Sequence, residues 1–324
     1  MKNISIIVPV YQEGDYIYQN INEINSHLEK LTYDFNYILV DDGSSDNTWG
    51  ELEKIATEYR NVTIIRFSRN FGKEAAIFAG LEYAEGEASI IMDSDLQHPP
   101  NLIGKMLSYW EQGYEVVEAV KSSRGDEKLW NKFFSNTFYV VLNKLAGYDL
   151  SGASDFKVLD RKVVESLNSM KERNTFFRGL SAWVGYSRKK VLFSVEPRKR
   201  GITKWSFKSL FILAKNAITA FSTVPLHFIT TIGVFFLVGA MILGVQTLVQ
   251  KISGNAVSGF TTVILLLLII GSILMIAIGI IGEYIAKIYE EIKSRPRYII
   301  KTVFTNKKSQ LNQDVMNHEY ETIL

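Results

Sequence analysis

The chain of 324 residues contains no cysteine, which excludes disulfides, thiolate nucleophiles and thiolate metal sites. Histidines number four, and none stands at ligand spacing from His98, which is therefore read as a structural residue. No Gly-x-Gly-x-x-Gly follows the first strand pattern and no Gly-x-x-x-x-Gly-Lys-Ser/Thr occurs, so dinucleotide-dependent redox chemistry and a P-loop lose their main support. The opening Met1-Lys2-Asn3-Ile4-Ser5-Ile6-Ile7 is too short and too strand-like for a signal peptide. Nor is there an excess of either charge: 36 Lys and Arg stand against 34 Asp and Glu, a net +2.

Charge is missing locally instead. No Asp, Glu, Lys or Arg occurs from Asn216 to Gln250 or from Ile252 to Gly282. Each window exceeds the ~20 apolar residues a membrane helix needs, and the segments Leu226 to Val249 and Phe260 to Ile281 are expected to span. Ile264-Leu265-Leu266-Leu267-Leu268-Ile269-Ile270 leaves no polar face, which counts against a buried hairpin in a soluble core. These windows account for a hydrophobic fraction of 47% and a mean hydropathy of +0.05. Arg198, Lys199, Arg200, Lys204, Lys208 and Lys215 precede the first segment, and Lys287, Lys293, Arg295, Arg297 and Lys301 follow the second. Lys251 alone lies between them, so both termini are expected on the cytoplasmic side of an inner or plasma membrane. Between Trp205 and Phe221, aromatic and aliphatic residues interleave with Lys208 and Lys215, the pattern of an amphipathic helix at a membrane surface.

Before these segments the chain alternates strand and helix patterns. Apolar, β-branched runs at Ile4 to Val10, Asn36 to Val40, Val62 to Phe67, Ile90 to Met92 and Glu115 to Val120 alternate with helical stretches, which predicts an α/β domain with a mainly parallel sheet covered on both faces. Right-handed crossovers bring the strand exits to one edge, where open α/β sheets bind ligands. Pro9, Glu13, Asp41, Asp42, Arg69, Lys73, Asp93 and Asp95 all fall at those exits. In Ile90-Ile91-Met92-Asp93-Ser94-Asp95-Leu96-Gln97-His98-Pro99-Pro100 a buried strand ends in two carboxylates. Such hard oxygen donors suit Mg²⁺ or Mn²⁺ shared with a diphosphate. Taken alone, Asp-Ser-Asp before a proline pair also fits a plain acidic turn.

Four segments together carry a resemblance: Val8-Pro9-Val10-Tyr11-Gln12-Glu13, Asp41-Asp42-Gly43-Ser44, Arg69-Asn70-Phe71-Gly72-Lys73-Glu74 and Asp93-Ser94-Asp95-Leu96-Gln97-His98-Pro99-Pro100. The set resembles the family 2 glycosyltransferases of the GT-A (Rossmann-like) fold. More narrowly, with the two terminal spans and Gly282-Glu283-Tyr284-Ile285 through Arg295-Pro296, it is similar to bacterial membrane-anchored polyprenyl-phosphate glycosyltransferases related to dolichol-phosphate mannose synthase. The resemblance implies a catalytic domain over 1–204, an interfacial helix over 205–224, a transmembrane hairpin over 225–290 and a cytoplasmic tail over 291–324. From Thr302 the chain reads as polar, without periodicity and disordered.

By the same resemblance, Pro9, Tyr11, Glu13 and Asp42 hold the base and ribose of a nucleotide sugar, with Asp41 supporting the loop. Asp93 and Asp95 bind the metal and diphosphate, Gln97 lies beside the metal, and Lys73 either assists the diphosphate or pairs with a neighbouring acid. Asp155, in Ser154-Asp155-Phe156-Lys157, is implied to act as base or to orient the acceptor. A lipid phosphate monoester, with a second pKa near ~6, is already largely ionised at neutral pH and has little need of a base. Arg124, Lys132, Arg200 and Lys204 are the implied contacts to the acceptor phosphate.

The expected reaction is inverting transfer of a sugar from a nucleotide sugar, UDP-linked by resemblance, to undecaprenyl phosphate. Expected partners are that donor, the lipid and the membrane, with no nucleic acid. A homo-oligomer is open through the small residues Gly233 and Gly239. Two other classes remain: a processive polysaccharide synthase, which lacks support because no Gln-x-x-Arg-Trp segment occurs, and a non-catalytic lipid-carrier binding protein.

Overall fold

A computed structural model describes residues 1–121, 154–172, 176–193, 224–253 and 259–306. They fall in two compact units, one built from the N-terminal region together with the chain from Pro296 onward, the other from the apolar helices.

The first unit is an eight-stranded sheet with helices on its faces. In chain order its elements are β1 (Asn3–Val10), α1 (Ile17–Leu28), β2 (Asp34–Asp41), α2 (Thr48–Glu58), β3 (Val62–Phe67), α3 (Lys73–Glu82), β4 (Ala88–Ile91) and α4 (Ile103–Glu111). There follow β5 (Val116–Lys121), β6 (Lys157–Asp160), α5 (Arg161–Ser169), α6 (Phe177–Trp183), β7 (Arg188–Phe193) and β8 (Ile300–Asn306). The strand order is β7-β5-β6-β4-β1-β2-β3-β8. The pairs β1–β2, β1–β4, β2–β3 and β5–β7 are parallel, whereas β4–β6, β5–β6 and β3–β8 are antiparallel.

Burial on both faces explains why the central strands read as unbroken apolar runs: Ile4 to Val10 of β1 and all of β4 are buried. The helices show the complementary stripe, with Ile17, Ile21, Ile24 and Leu28 of α1 buried at helical spacing. They meet Ile4, Ile6, Val8, Leu39, Leu52 and Ile55 in one core. The common direction of β1 to β4 delivers residues 11–13, 42–46, 68–72 and 92–98 to the same end of the sheet.

The sheet is mainly parallel as expected, and two of its features were not read from the sequence. The short β6 inserts antiparallel between β4 and β5, with Ile91 opposite Lys157 and Glu118 opposite Lys157 on its other side. And residues 302–306, expected to be disordered, belong to β8, which pairs with β3 from Val62 opposite Asn306 to Phe67 opposite Ile300. Tyr298 stacks on Phe67 with ring centroids 4.9 Å apart, and the Arg297 guanidinium lies over Phe78 while its Nε donates to the Glu172 carbonyl at 2.8 Å. Cross-strand hydrogen bonds and these aromatic contacts give the segment the partners that its sequence alone does not display.

In the second unit, α7 (Val224–Ile252) and α8 (Phe260–Ile292) carry the two uncharged windows. Both are long and apolar enough to cross a membrane. Large side chains such as Phe235 and Met275 are largely exposed on them. Of the interfacial helix expected over 205–224, residues 205–223 lie outside the described residues.

Candidate active site

A cavity of about 280 Å³ opens at the carboxyl end of the parallel strands. It is lined by Pro9 and Val10 at the end of β1, Tyr11 and Glu13 in the following loop, Asp42 after β2, Asn70, Gly72 and Lys73 before α3, and Asp93, Ser94 and Asp95 after β4. The structure thus brings together Pro9, Tyr11, Glu13, Asp42, Lys73, Asp93 and Asp95 from four loops.

Each loop is shaped by its own polar residues. Glu13 N–H donates to Thr48 Oγ1 at 2.9 Å, and Asp46 accepts from the Gly14 and Thr48 amides. Asp41 is fully buried beneath the floor, where it accepts from Ser44 N–H at 2.9 Å and faces Arg66 Nε at 3.3 Å. Asp42 spends both oxygens on backbone: Oδ1 accepts from Phe71 N–H at 2.6 Å and Oδ2 from Gly72 N–H at 2.9 Å. This carboxylate therefore ties the β2 exit to the β3 exit, and only its outer lone pairs face the cavity. Burial raises its pKa against the lowering effect of those two amides.

Gly43 makes that approach possible. Its φ is +69°, and a Cβ there would lie 2.4 Å from the Arg69 carbonyl carbon. Leu96, between Asp95 and Gln97, also holds a positive φ of 57°, a strain found mostly at ligand-binding loops. Gln97 N–H donates to Asp95 Oδ1 at 3.0 Å. His98 is buried, stacks on Phe156 at 5.1 Å and accepts the Asp93 N–H at Nδ1, 3.2 Å away. Burial pushes its pKa down, which keeps that nitrogen unprotonated and able to accept.

Four charges run in alternation away from the cavity. Lys73 Nζ stands 2.6 Å from Asp93 Oδ1 and 2.6 Å from Asp155 Oδ2. Asp155 in turn receives Arg178 Nε on Oδ1 at 2.7 Å and Arg178 Nη2 on Oδ2 at 2.9 Å. Burial would raise the Asp155 pKa, but the Arg178 fork and Lys73 outweigh it and hold the carboxyl well below the usual range. A carboxylate so held is a poor proton acceptor. Nor does Asp155 cap the next helix, since that cap is Asp160, which accepts from Lys162 N–H at 3.0 Å.

Sequence reasoning passed over Arg178. It sits alone in Phe176-Phe177-Arg178-Gly179-Leu180 with no motif around it, and its partner is 23 residues away. Arg124, Lys132, Arg200 and Lys204 lie outside the described residues.

As a cation site, the cavity offers hard oxygens only. Glu13 has its pKa raised by burial and then by Asp95, Asp46 and Asp93, the signature of crowded negative charge. Among the described residues no three His, Cys, Asp or Glu side chains group closely enough to hold a metal by themselves. Such a set suits an ion that takes its remaining ligands from phosphate and water.

The family model for glycosyl transferase family 2 matches residues 5–167, which takes in every cavity residue and Asp155. Similarity to individual proteins runs further along the chain. CsbB of Bacillus subtilis is 38% identical over 92% of this chain and 91% of its own. The SfII prophage-derived bactoprenol glucosyl transferase of Shigella flexneri is 36% identical over 92% of this chain and 97% of its own, and the prophage bactoprenol glucosyl transferase homolog of Escherichia coli is 37% identical over 93% and 99%. A mainly parallel sheet of the GT-A kind with carboxylates at its strand exits, in a chain that also carries two long apolar helices, belongs to an enzyme that transfers sugars: the chain is a member of glycosyl transferase family 2.

Proposed function

We propose that this glycosyltransferase moves a sugar from a nucleotide sugar, UDP-linked, onto the phosphate of a membrane polyprenol such as undecaprenyl phosphate. The observation that carries this reading is the extent of the similarity to the bactoprenol glucosyl transferases. Coverage of 92% of the chain leaves too little outside for either apolar helix, 29 and 33 residues long, to be missed. The aligned region therefore takes in part of both helices as well as the catalytic domain, which supports the reading. In this reading the helices are inserted in the inner or plasma membrane, with both termini cytoplasmic.

The base and ribose lie against Pro9, Tyr11, Glu13 and the outer lone pairs of Asp42, with Asp41 stiffening the floor. Asp93 and Asp95 hold Mg²⁺ or Mn²⁺, with Gln97 beside them. When bound, that ion neutralises charge on the departing diphosphate. Lys73, anchored between Asp93 and Asp155, adds a second positive charge at the same place. Arg124, Lys132, Arg200 and Lys204 bind the acceptor phosphate, and Asp155 orients it. An oxygen of the lipid phosphate attacks the anomeric carbon, the carbon–oxygen bond to the diphosphate breaks, and the nucleoside diphosphate leaves with both electrons of that bond. One displacement inverts the anomeric centre. The acceptor arrives ionised, so no proton has to be removed, which agrees with the low basicity of Asp155.

Purified full-length protein incubated with undecaprenyl phosphate, Mn²⁺ or Mg²⁺ and radiolabelled UDP- and GDP-sugars, UDP-glucose first, tests this. Label should enter an organic-extractable lipid only with metal present, and Asp95→Ala should abolish it. No lipid product from any donor, with retained lipid binding, would instead favour a lipid-carrier binding protein.

A further inference from the structure

We infer that Arg178 is a positioning residue of the transfer reaction, acting through Asp155. The inference rests on the reading above in which Asp155 orients the acceptor.

The pair is bidentate, with Nε on Oδ1 at 2.7 Å and Nη2 on Oδ2 at 2.9 Å. Two parallel bonds fix the plane of a carboxylate as well as its position. Lys73 holds one edge of the same group at Oδ2, 2.6 Å away. Among the described residues Oδ1 therefore accepts a single hydrogen bond, leaving it the oxygen with capacity for a substrate group.

Both members of the pair are seated on one buried device. Glu118 of β5 and Lys157 of β6 form an ion pair at 3.1 Å, each about 1% exposed. Glu118 Oε1 accepts the N–H of Ser154 at 3.1 Å, and Ser154 Oγ donates to the Ala119 carbonyl at 2.6 Å, which pins the residue just before Asp155. Lys157 Nζ donates to Ser181 Oγ at 2.7 Å, which pins the helix α6 that carries Arg178. At the start of α6, Phe177 N–H donates to Glu74 Oε2 at 2.8 Å, and the Phe177 ring meets Phe78 edge-on at 6.4 Å. A buried ion pair brings little net stability when its desolvation is counted. Here its two ends hold the two halves of the Asp155–Arg178 contact in mutual register, a positional role. Arg178 itself has 36% of its side chain exposed, so its replacement leaves the core intact.

The test is a double-mutant cycle on the full-length protein in the lipid-transfer assay, with Arg178→Met, Arg178→Lys, Asp155→Asn and the Arg178→Met/Asp155→Asn double variant. Thermal midpoint and donor binding are measured alongside. Arg178→Met should lower kcat roughly 100-fold, the scale of a misplaced reacting group, with the donor KM unchanged. Arg178→Lys keeps the charge but cannot make the fork, and it should recover only part of the loss. The double variant should be no slower than Asp155→Asn alone, because the two residues act as one unit. Losses that multiply would overturn the inference and assign Arg178 a contact of its own with the acceptor, and so would full activity in either Arg178 variant. Should Arg178→Met lower the thermal midpoint sharply, the Lys variant and its own cycle with Asp155→Asn decide. A wild-type protein that transfers nothing to lipid, by contrast, refutes the underlying reading, and the inference falls with it.

Discussion

Replacing Gly43 by alanine puts a methyl group where the structure has none to spare. Two penalties add at this position. The backbone is left-handed at φ +69°, which costs an L-residue about 1–2 kcal/mol. The new Cβ would lie 2.4 Å from the Arg69 carbonyl carbon and 2.8 Å from both its Cα and its oxygen. Those are backbone atoms of a loop tied down through the Asp42 bonds to Phe71 and Gly72, so relief requires the loop itself to move, an overpacking penalty of about 1–3 kcal/mol. Together the expected loss is roughly 2–5 kcal/mol, or at ~2–4 °C per kcal/mol a fall of about 4–20 °C in thermal midpoint. Because Asn70 and Gly72 line the cavity, the donor KM should rise with it. Gly185→Ala is the matched control: its φ is +76°, close to that of Gly43, but the added Cβ would meet nothing nearer than 3.9 Å, so it incurs a similar backbone penalty without a clash. Differential scanning fluorimetry of the two purified variants, with donor KM measured on each, separates the contributions. Equal midpoints for the two would refute the close packing of the β2 and β3 exit loops.

Two further outcomes follow from buried polar groups. Glu74 has its pKa raised to about 7 from 4.5, first by burial and then by Asp155. The folded state therefore keeps a proton that the unfolded chain releases, and wild-type stability should decline as pH rises from 4.5 to 7. Glu74→Gln can still accept the Phe177 N–H and should flatten this slope, gaining ~2–3 kcal/mol on wild type between pH 5 and pH 8 in chemical denaturation; an unchanged difference would mean Glu74 is ionised throughout. His98→Phe preserves the stack on Phe156 but removes the acceptor for the Asp93 N–H, so Mn²⁺ affinity in a calorimetric titration should weaken roughly 10–100-fold, and an unaltered affinity would show that the Asp93 loop holds its shape without His98.

How much of this could be read from the residues differs from element to element. β1, β2 and β4 carry the apolar runs Ile6 to Val10, Tyr37 to Val40 and Ile90 to Met92, buried because both faces are covered, and a run that ends in Asp42 or in Asp93-Ser94-Asp95 announces its exit by the change from apolar to charged. β6 announces nothing. Its four residues Lys157 to Asp160 include a lysine that is buried only because Glu118 and Ser181 meet it, and no local pattern encodes a partner 39 positions earlier. Arg178 was illegible for the same reason: its meaning lies in Asp155, which chain tracing alone cannot bring to it. β8 is different. Ile299-Ile300-Lys301-Thr302-Val303-Phe304-Thr305 is rich in β-branched and aromatic residues, so a signal was present, masked by the polar residues that an edge strand keeps toward water.

That last strand fixes a parity. The chain leaves the sheet after β7, runs through α7 and α8, and then re-enters the same sheet as β8, beside β3. A polypeptide that departs from a folded domain and returns to it can cross a bilayer only an even number of times, whatever the distribution of lysine and arginine along its loops. Under the proposed membrane insertion, two crossings satisfy that count and a single one does not. The same return strand also sets an order of events: β3 stays an open sheet edge until both apolar helices have been made, so the catalytic domain acquires its final strand only after the chain of both helices has been synthesised.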